Sequence, residues 1–202
     1  MVTFGIIDDH RQKFARQLAE ATIPMVHAKG IGRWNDSDHR GARAFMRAQN
    51  TDLPDDFWFG AWDGRNLIGM IHTAPPVGTG ADLIRHAHPQ ARLPLAFTPA
   101  KLAEYFKGNV LLEEIAVAPG YQGQGIGRCL LDEALQNAHK RAVRNFCTAA
   151  TSQHAANFFQ SAGMDVQPVG LPLHPSRADG LRTSTRPEWR HIRWAAITPE
   201  GR

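Results

Sequence analysis

At 202 residues, 43% hydrophobic and 21% charged, the chain has the size and composition of one ordinary α/β domain that buries a core without cross-links. No apolar run approaches the ~20 residues that cross a bilayer. Residues 1–8 lack the basic start and apolar stretch of a secretory leader, so a cytoplasmic location without a membrane partner is expected. The net charge of +4 is spread along the chain and gives only weak support for a nucleic-acid partner, which is not expected; a polyanionic small ligand suits it equally well.

Residues 3–7 read as a first strand, after which Asp8 or Asp9 caps a helix whose apolar stripe is Phe14, Leu18 and Ala21, ended by Pro24. A second helix is expected from Ser37 to Ala48 on a stripe of Ala42, Phe45 and Met46. Phe57–Trp62 and Leu67–His72, joined by Asp63-Gly64-Arg65-Asn66, read as a hairpin. Residues 74–108 form a proline-punctuated insertion, with short helices expected near Ala81–His86 and Pro99–Phe106; its length suggests a wall or lid of a substrate site. A strand follows from Val110 to Val117, stopped by Pro119-Gly120. Ile126, Leu130, Leu131, Ala134, Leu135 and Ala138 then repeat at helical spacing. Phe146–Ala150 is the next strand, and Thr151 or Ser152 caps a helix through Ala155, Phe158, Phe159 and Ala162, closed by Gly163. Strands are expected at Met164–Val169 and Trp189–Ile197. Cys129 and Cys147 sit in apolar settings and read as buried reduced thiols. With no Cys-x-x-Cys pair and scattered histidines, no metal is expected.

The chemistry concentrates in Gln122-Gly123-Gln124-Gly125-Ile126-Gly127-Arg128, between a strand and a helix. Alternate glycines permit a tight turn and close approach of a ligand to the backbone. The following helix offers free N–H groups and the positive end of its dipole, and Arg128 adds a full charge, which together make a phosphate cradle. A P-loop would need Gly-Lys-Ser or Gly-Lys-Thr, but Gly127 is followed by Arg128-Cys129. A dinucleotide fingerprint would need a third glycine where Arg128 stands. Both nucleotide readings fail.

The run Leu112…Ile115-Ala116-Val117-Ala118-Pro119…Gln122-x-x-Gly125-x-Gly127 resembles the acetyl-CoA motif of the GNAT superfamily. Ser152 to Met164 is similar to its second motif, and the matched region covers roughly residues 109–165. The resemblance implies one α/β domain over residues 1–202, with a mixed, mostly antiparallel central sheet of six to seven strands flanked by helices. It implies acetyl-CoA as co-substrate, with Ile115, Ala116 and Val117 pairing through their backbone with the pantetheine arm. Gln122, Gly123, Gln124, Gly125, Ile126, Gly127 and Arg128 would hold the pyrophosphate, and Ser152 and Asn157 would flank the coenzyme. A small-molecule or peptide amine is the implied acceptor, and a homodimer is compatible with the resemblance.

Acetyl transfer needs a base for the amine, commonly a carboxylate. Glu113 and Glu114 are the candidates; alternation along a strand sends them to opposite faces, and Glu114, three residues before Val117, is favoured. The family's usual acid, a tyrosine in the second motif, is replaced here by Phe159, counted among the coenzyme-lining positions; Tyr105 and Tyr121 are the only tyrosines. A thiolate departs unaided at modest cost, since a thiol's ordinary pKa is about 8.5. His72 and His174 border the expected acceptor side, but a lone histidine is more often structural and neither is assigned a role. The alternative to an amine N-acetyltransferase is a non-catalytic acyl-CoA-binding module, which Phe159 favours; a longer acyl donor is a third reading.

Overall fold

The computed structural model describes residues 1–23, 36–48, 50, 52–76, 99–171 and 192–199. Its elements are β1 (Val2–Ile6), α1 (Gln12–Thr22), α2 (Asp36–Ala48), β2 (Phe57–Asp63), β3 (Asn66–Ala74), α3 (Pro99–Gly108) and β4 (Asn109–Val117). A 3₁₀ turn at Pro119–Tyr121 leads into α4 (Ile126–Lys140), then β5 (Asn145–Ala150), α5 (Gln153–Ser161), β6 (Asp165–Val166) and β7 (Arg193–Ile197). The strands form one seven-stranded sheet in the order β1-β2-β3-β4-β5-β7-β6. Every neighbouring pair is antiparallel except β4 and β5. The expected helix near Ala81–His86, and the residues Trp189 and His174, lie outside the described residues. No described helix is long and apolar enough to cross a membrane.

One face of the sheet carries the main core, where α4 buries Ile126, Leu130, Leu131, Ala134, Leu135 and Ala138 against Phe59, Ala61, Ile68, Ile71, Val110 and Leu112. This is the helical stripe expected from spacing alone. Gly69 seats α4 on the sheet: a Cβ there would stand 3.0 Å from Ile126 Cγ2 and 3.2 Å from Leu130 Cδ1. Cys129, one position off that stripe, is exposed rather than buried, because the helix turns it away from the sheet. Cys147 is half-buried, its thiol donates to the Val110 carbonyl at 3.5 Å, and burial pushes it up to about 12.

The other face carries α1, whose buried positions are Ala15 and Ala19; of the expected stripe, Leu18 packs partly buried beside them, while Phe14 and Ala21 are exposed. Phe14 is 50% exposed. The sheet supplies bulky side chains here, Trp58 and Met70, so the small residues of the helix face inward and let it settle close. Asp8 does act at the start of α1, its Oδ1 accepting from the Arg11 N–H at 3.0 Å. At the far edge, β6 is only two residues long where six were expected, though Gln167 N–H still donates to the Trp194 carbonyl at 2.7 Å.

Candidate active site

β4 and β5 run side by side only from Asn109–Asn145 to Leu112–Thr148. The joined half is pinned by buried polar groups: Asn145 Nδ2 donates to Asn109 Oδ1 at 3.1 Å, and Thr148 Oγ1 donates to the Leu112 carbonyl at 2.9 Å. Beyond Leu112, β4 continues along β3 to Val117, while β5 continues along β7 to Ala150. The two strands therefore part and leave a V-shaped cleft in the middle of the sheet. Ala118 N–H donates to the Ile68 carbonyl on the β3 side at 2.8 Å. Since backbone groups alternate sides along a strand, Ile115 and Val117 turn theirs toward the cleft. The Val117 carbonyl accordingly accepts from Gln122 Nε2, at 3.0 Å.

At the level where the strands part, β4 bulges. His72 pairs with Glu114 and the next residue, Thr73, pairs with Leu112, which leaves Glu113 as the extra residue. The bulge changes which way the side chains point. Val110 and Leu112 lie in the main core, and so, after the bulge, do Ile115 and Val117. Leu111 and Ala116 pack on the opposite face. Glu113 and Glu114 therefore both project from the face opposite α4, half-buried, and not from opposite faces as simple alternation requires. On that same face His72 lies across from Glu114, stacked on Trp58 with ring centroids 3.7 Å apart. Its Nε2 stands 3.2 Å from Asp56 Oδ2.

The mouth of the cleft is the loop from Gln122 to Arg128. Gly123 and Gly125 hold φ of +75° and +80°, the left-handed conformation that turns the chain into α4. Gly125 is the N-cap and, being glycine, offers no side chain of its own to the first-turn N–H groups of α4. An anion is the natural partner for those groups. Gln124 Nε2 donates to the Gly120 carbonyl at 3.3 Å, and the Tyr121 hydroxyl donates to Asp63 Oδ2 at 2.9 Å, tying the loop to the β2–β3 turn. That bond, the Asp63 charge and burial together raise the Tyr121 phenol above its ordinary range. Arg128 is engaged elsewhere: Nε donates to both Asp132 carboxylate oxygens at 3.1 Å, and one terminal nitrogen donates to the Ser161 carbonyl at 3.2 Å. In this arrangement it braces α4 against α5, with its charge partly matched by Asp132.

On the other lip, Ser152 caps α5, its Oγ accepting from Ala155 N–H at 3.1 Å. Asn157 is exposed and accepts from Gln153 Nε2 at 2.7 Å. Phe159 is 3% exposed and belongs to the main core. Phe158, not Phe159, approaches the glycine loop: a Cβ on Gly127 would lie 3.6 Å from its ring. Tyr105 is buried in α3 beside Phe106, with ring centroids 5.9 Å apart. Among the described residues, no group of three or more His, Cys, Asp or Glu side chains is arranged to hold a metal ion. Asp56 carried no signal in the sequence; it lies 16 positions from His72, and only the β2–β3 pairing brings the two together.

An antiparallel sheet with one splayed parallel pair, and a glycine-turned helix entry at its mouth, is the layout of a transferase that uses an acyl-coenzyme donor. The sequence matches the profile of the Acetyltransferase (GNAT) family over residues 33–164, well over half of its length, and the chain belongs to that family of N-acyltransferases. It is 32% identical over 63 residues to a Glycine max protein named Histone acetyltransferase TAP1, across 31% of this chain and 27% of that one. The chain thus matches about a quarter of the length of its curated relatives. The ribosomal-protein-S18-alanine N-acetyltransferase from Escherichia coli has the same fold, with a TM-score of 0.53, 17% identity, and coverage of 100% of this chain and 96% of that chain. An acetyltransferase from Bacillus subtilis in complex with CoA aligns with a TM-score of 0.53 and 14% identity, covering 98% of this chain and 99% of that one.

Proposed function

We propose that this protein transfers an acetyl group from acetyl-CoA to a primary amine of a small molecule or peptide, by direct attack with Glu114 as base. The observation that carries this reading is the coincidence of three features at one level of the sheet. β4 and β5 part beyond Leu112 and Thr148, β4 bulges at Glu113, and the first turn of α4 opens at the mouth. The cleft-facing backbone of Ile115 and Val117 suits an amide-bearing pantetheine arm. The N–H groups of Ile126, Gly127 and Arg128 suit a pyrophosphate. Ser152 and Asn157 would border the coenzyme from the α5 side. Glu114 then takes a proton from the acceptor ammonium, while the departing thiolate needs no protein acid. Two free thiols suit a reducing compartment, and we place the protein in the cytoplasm.

Calorimetry with CoA and thiol release from acetyl-CoA across a panel of amines test this reading. Gly125→Glu, which brings a carboxylate to the cradle, abolishes coenzyme binding. Glu114→Gln lowers turnover about 100-fold with coenzyme affinity unchanged. A protein that binds no CoA ends the proposal. Phe159 favours a second reading, a module that binds acyl-CoA without turnover, because it stands where the family carries its tyrosine acid. Tight CoA binding with no turnover across the panel would establish that alternative.

A further inference from the structure

The Asp56–His72 pair is only part-buried, with 13% of the His72 side chain and 30% of the Asp56 side chain exposed. The neighbouring positions on the same face, Met70 and Ala116, are apolar and nearly or fully buried. An apolar side chain at position 72 would pack on Trp58 without the desolvation that a carboxylate and an imidazole require. Instead the imidazole is held in one orientation by two contacts, the Asp56 carboxylate at 3.2 Å and the Trp58 ring, whose plane lies within 10° of its own. The carboxylate accepts from Nε2–H, so the neutral ring presents Nδ1 as a lone-pair acceptor. The ring is not sealed in the core, since 13% of the His72 side chain is exposed. Directly opposite on β4 stands Glu114, and directly opposed residues have their Cβ atoms about 4.5–5.5 Å apart.

We propose that His72, oriented by Asp56, is a second proton acceptor for the acceptor amine, acting beside Glu114 on the face of the sheet opposite α4. This rests on the acetyl-transfer reading above. An ammonium acceptor must lose two protons to become an amide, one before attack and one as the C–N bond forms. Glu114 takes one and His72 the other. The electron pair of the breaking C–S bond goes to sulfur, and water protonates the thiolate. Glu114 and His72 then return their protons to solvent, so that one amide, one thiol and one net proton result. The same constellation accounts for turnover with Phe159 buried in the core: the burden falls on removing protons from nitrogen, and two groups share it.

The charged groups around His72 come from five places in the chain. Asp55 and Asp56 precede β2, and Glu113 and Glu114 lie on β4. On α1, the Arg16 guanidinium lies 5.7 Å over the Trp58 ring, with Glu20 one helical turn further on. Arg43 of α2 is 3.9 Å from Asp55, and Arg141 donates to the Asp55 carbonyl at 3.3 Å. Arg141 is lowered from its ordinary value by burial, while Asp55 and Asp56 support its charge.

The test is the pH profile of turnover at saturating acetyl-CoA, with a diamine, a lysine peptide and an alanine-initiated peptide as probes. The wild type shows an acid limb of slope two, because Glu114 and His72 must both be free to accept a proton. His72→Gln lowers kcat about 100-fold, reduces the slope of that limb from two to one, and leaves CoA affinity by calorimetry and the melting temperature close to wild type. Asp56→Asn, which takes away the carboxylate that orients the ring, lowers kcat with CoA affinity unchanged, and guards against misreading a folding defect in the first variant. A His72→Gln enzyme that keeps both rate and slope overturns the role of His72 while leaving acetyl transfer intact. A wild type that binds CoA but acetylates none of the probes overturns the acetyl-transfer reading, and this proposal with it.

Discussion

Gly125→Ala isolates the backbone geometry on which the proposed coenzyme cradle depends. Gly120, Gly123 and Gly125 all face open space, with no atom within 4 Å of a Cβ built on any of them. Sterically the three substitutions are equal. Gly123 and Gly125, however, hold φ of +75° and +80°, whereas Gly120 has no positive φ. An alanine held in the left-handed region costs about 1–2 kcal/mol. For a chain of this length, that lowers the melting temperature by about 2–8 °C. The loop can escape the strain only by rotating φ at position 125, which turns the first N–H groups of α4 out of line. Each hydrogen bond lost to a charged phosphate is worth about 1.5–3 kcal/mol, a weakening of CoA binding by about ten- to hundred-fold. Gly125→Ala is therefore less stable, binds CoA more weakly, or both, while Gly120→Ala matches the wild type in differential scanning calorimetry and CoA titration. Should Gly120→Ala and Gly125→Ala behave alike in both assays, the geometric argument for the cradle is wrong.

Gly69→Ala brings a methyl group within 3.0 Å of Ile126 and 3.2 Å of Leu130, so α4 must shift outward, at about 1–3 kcal/mol in urea unfolding; an unchanged midpoint would deny that Gly69 seats the helix. Phe159→Tyr adds a hydroxyl inside the main core, where it destabilises by about 1–3 kcal/mol and does not raise turnover. A faster, equally stable variant would put that ring in the cleft instead. The Cys147 thiol is raised by burial to about 12 in the folded protein, so the unfolded chain gives up its proton first as pH rises. Its contribution to stability is complete below the ordinary thiol range and is lost progressively as pH climbs toward 12. Cys147→Ala should therefore lose less melting temperature than the wild type between pH 8 and ~11, within which a free thiol's ordinary value of about 8.5 falls. Parallel curves would refute this.

The parts of this protein legible from residue order are those governed by local rules. Helical spacing located α4 and all six of its buried positions, because a single stripe facing a flat sheet has one solution. The cap at Ser152 and the turn through Gly123 and Gly125 were equally legible, since each depends on the chemistry of a few consecutive residues. On α1 spacing finds Leu18 but not Phe14 or Ala21 on the buried side, because which side of an amphipathic helix turns inward depends on the partner. Trp58 and Met70 fill that space and favour alanine over phenylalanine.

Residue order by itself determined the glycine-turned helix entry after an apolar strand, because it is a local object whose free N–H groups suit an anion without reference to the rest of the chain. The placement of Glu113, Glu114, His72 and Asp56 was decided only in three dimensions. A one-residue bulge in β4 reverses side-chain parity and brings Glu113 and Glu114 onto one face, and bulges arise from the pairing of two strands rather than from either alone. Strand pairing also carries Asp56 to His72 across 16 positions and sets both beside Glu114. Packing withdraws Phe159 into the core, where the matched motif would have set it at the cleft. Each of these is a contact between segments distant in sequence, and such contacts exist only once the sheet has formed.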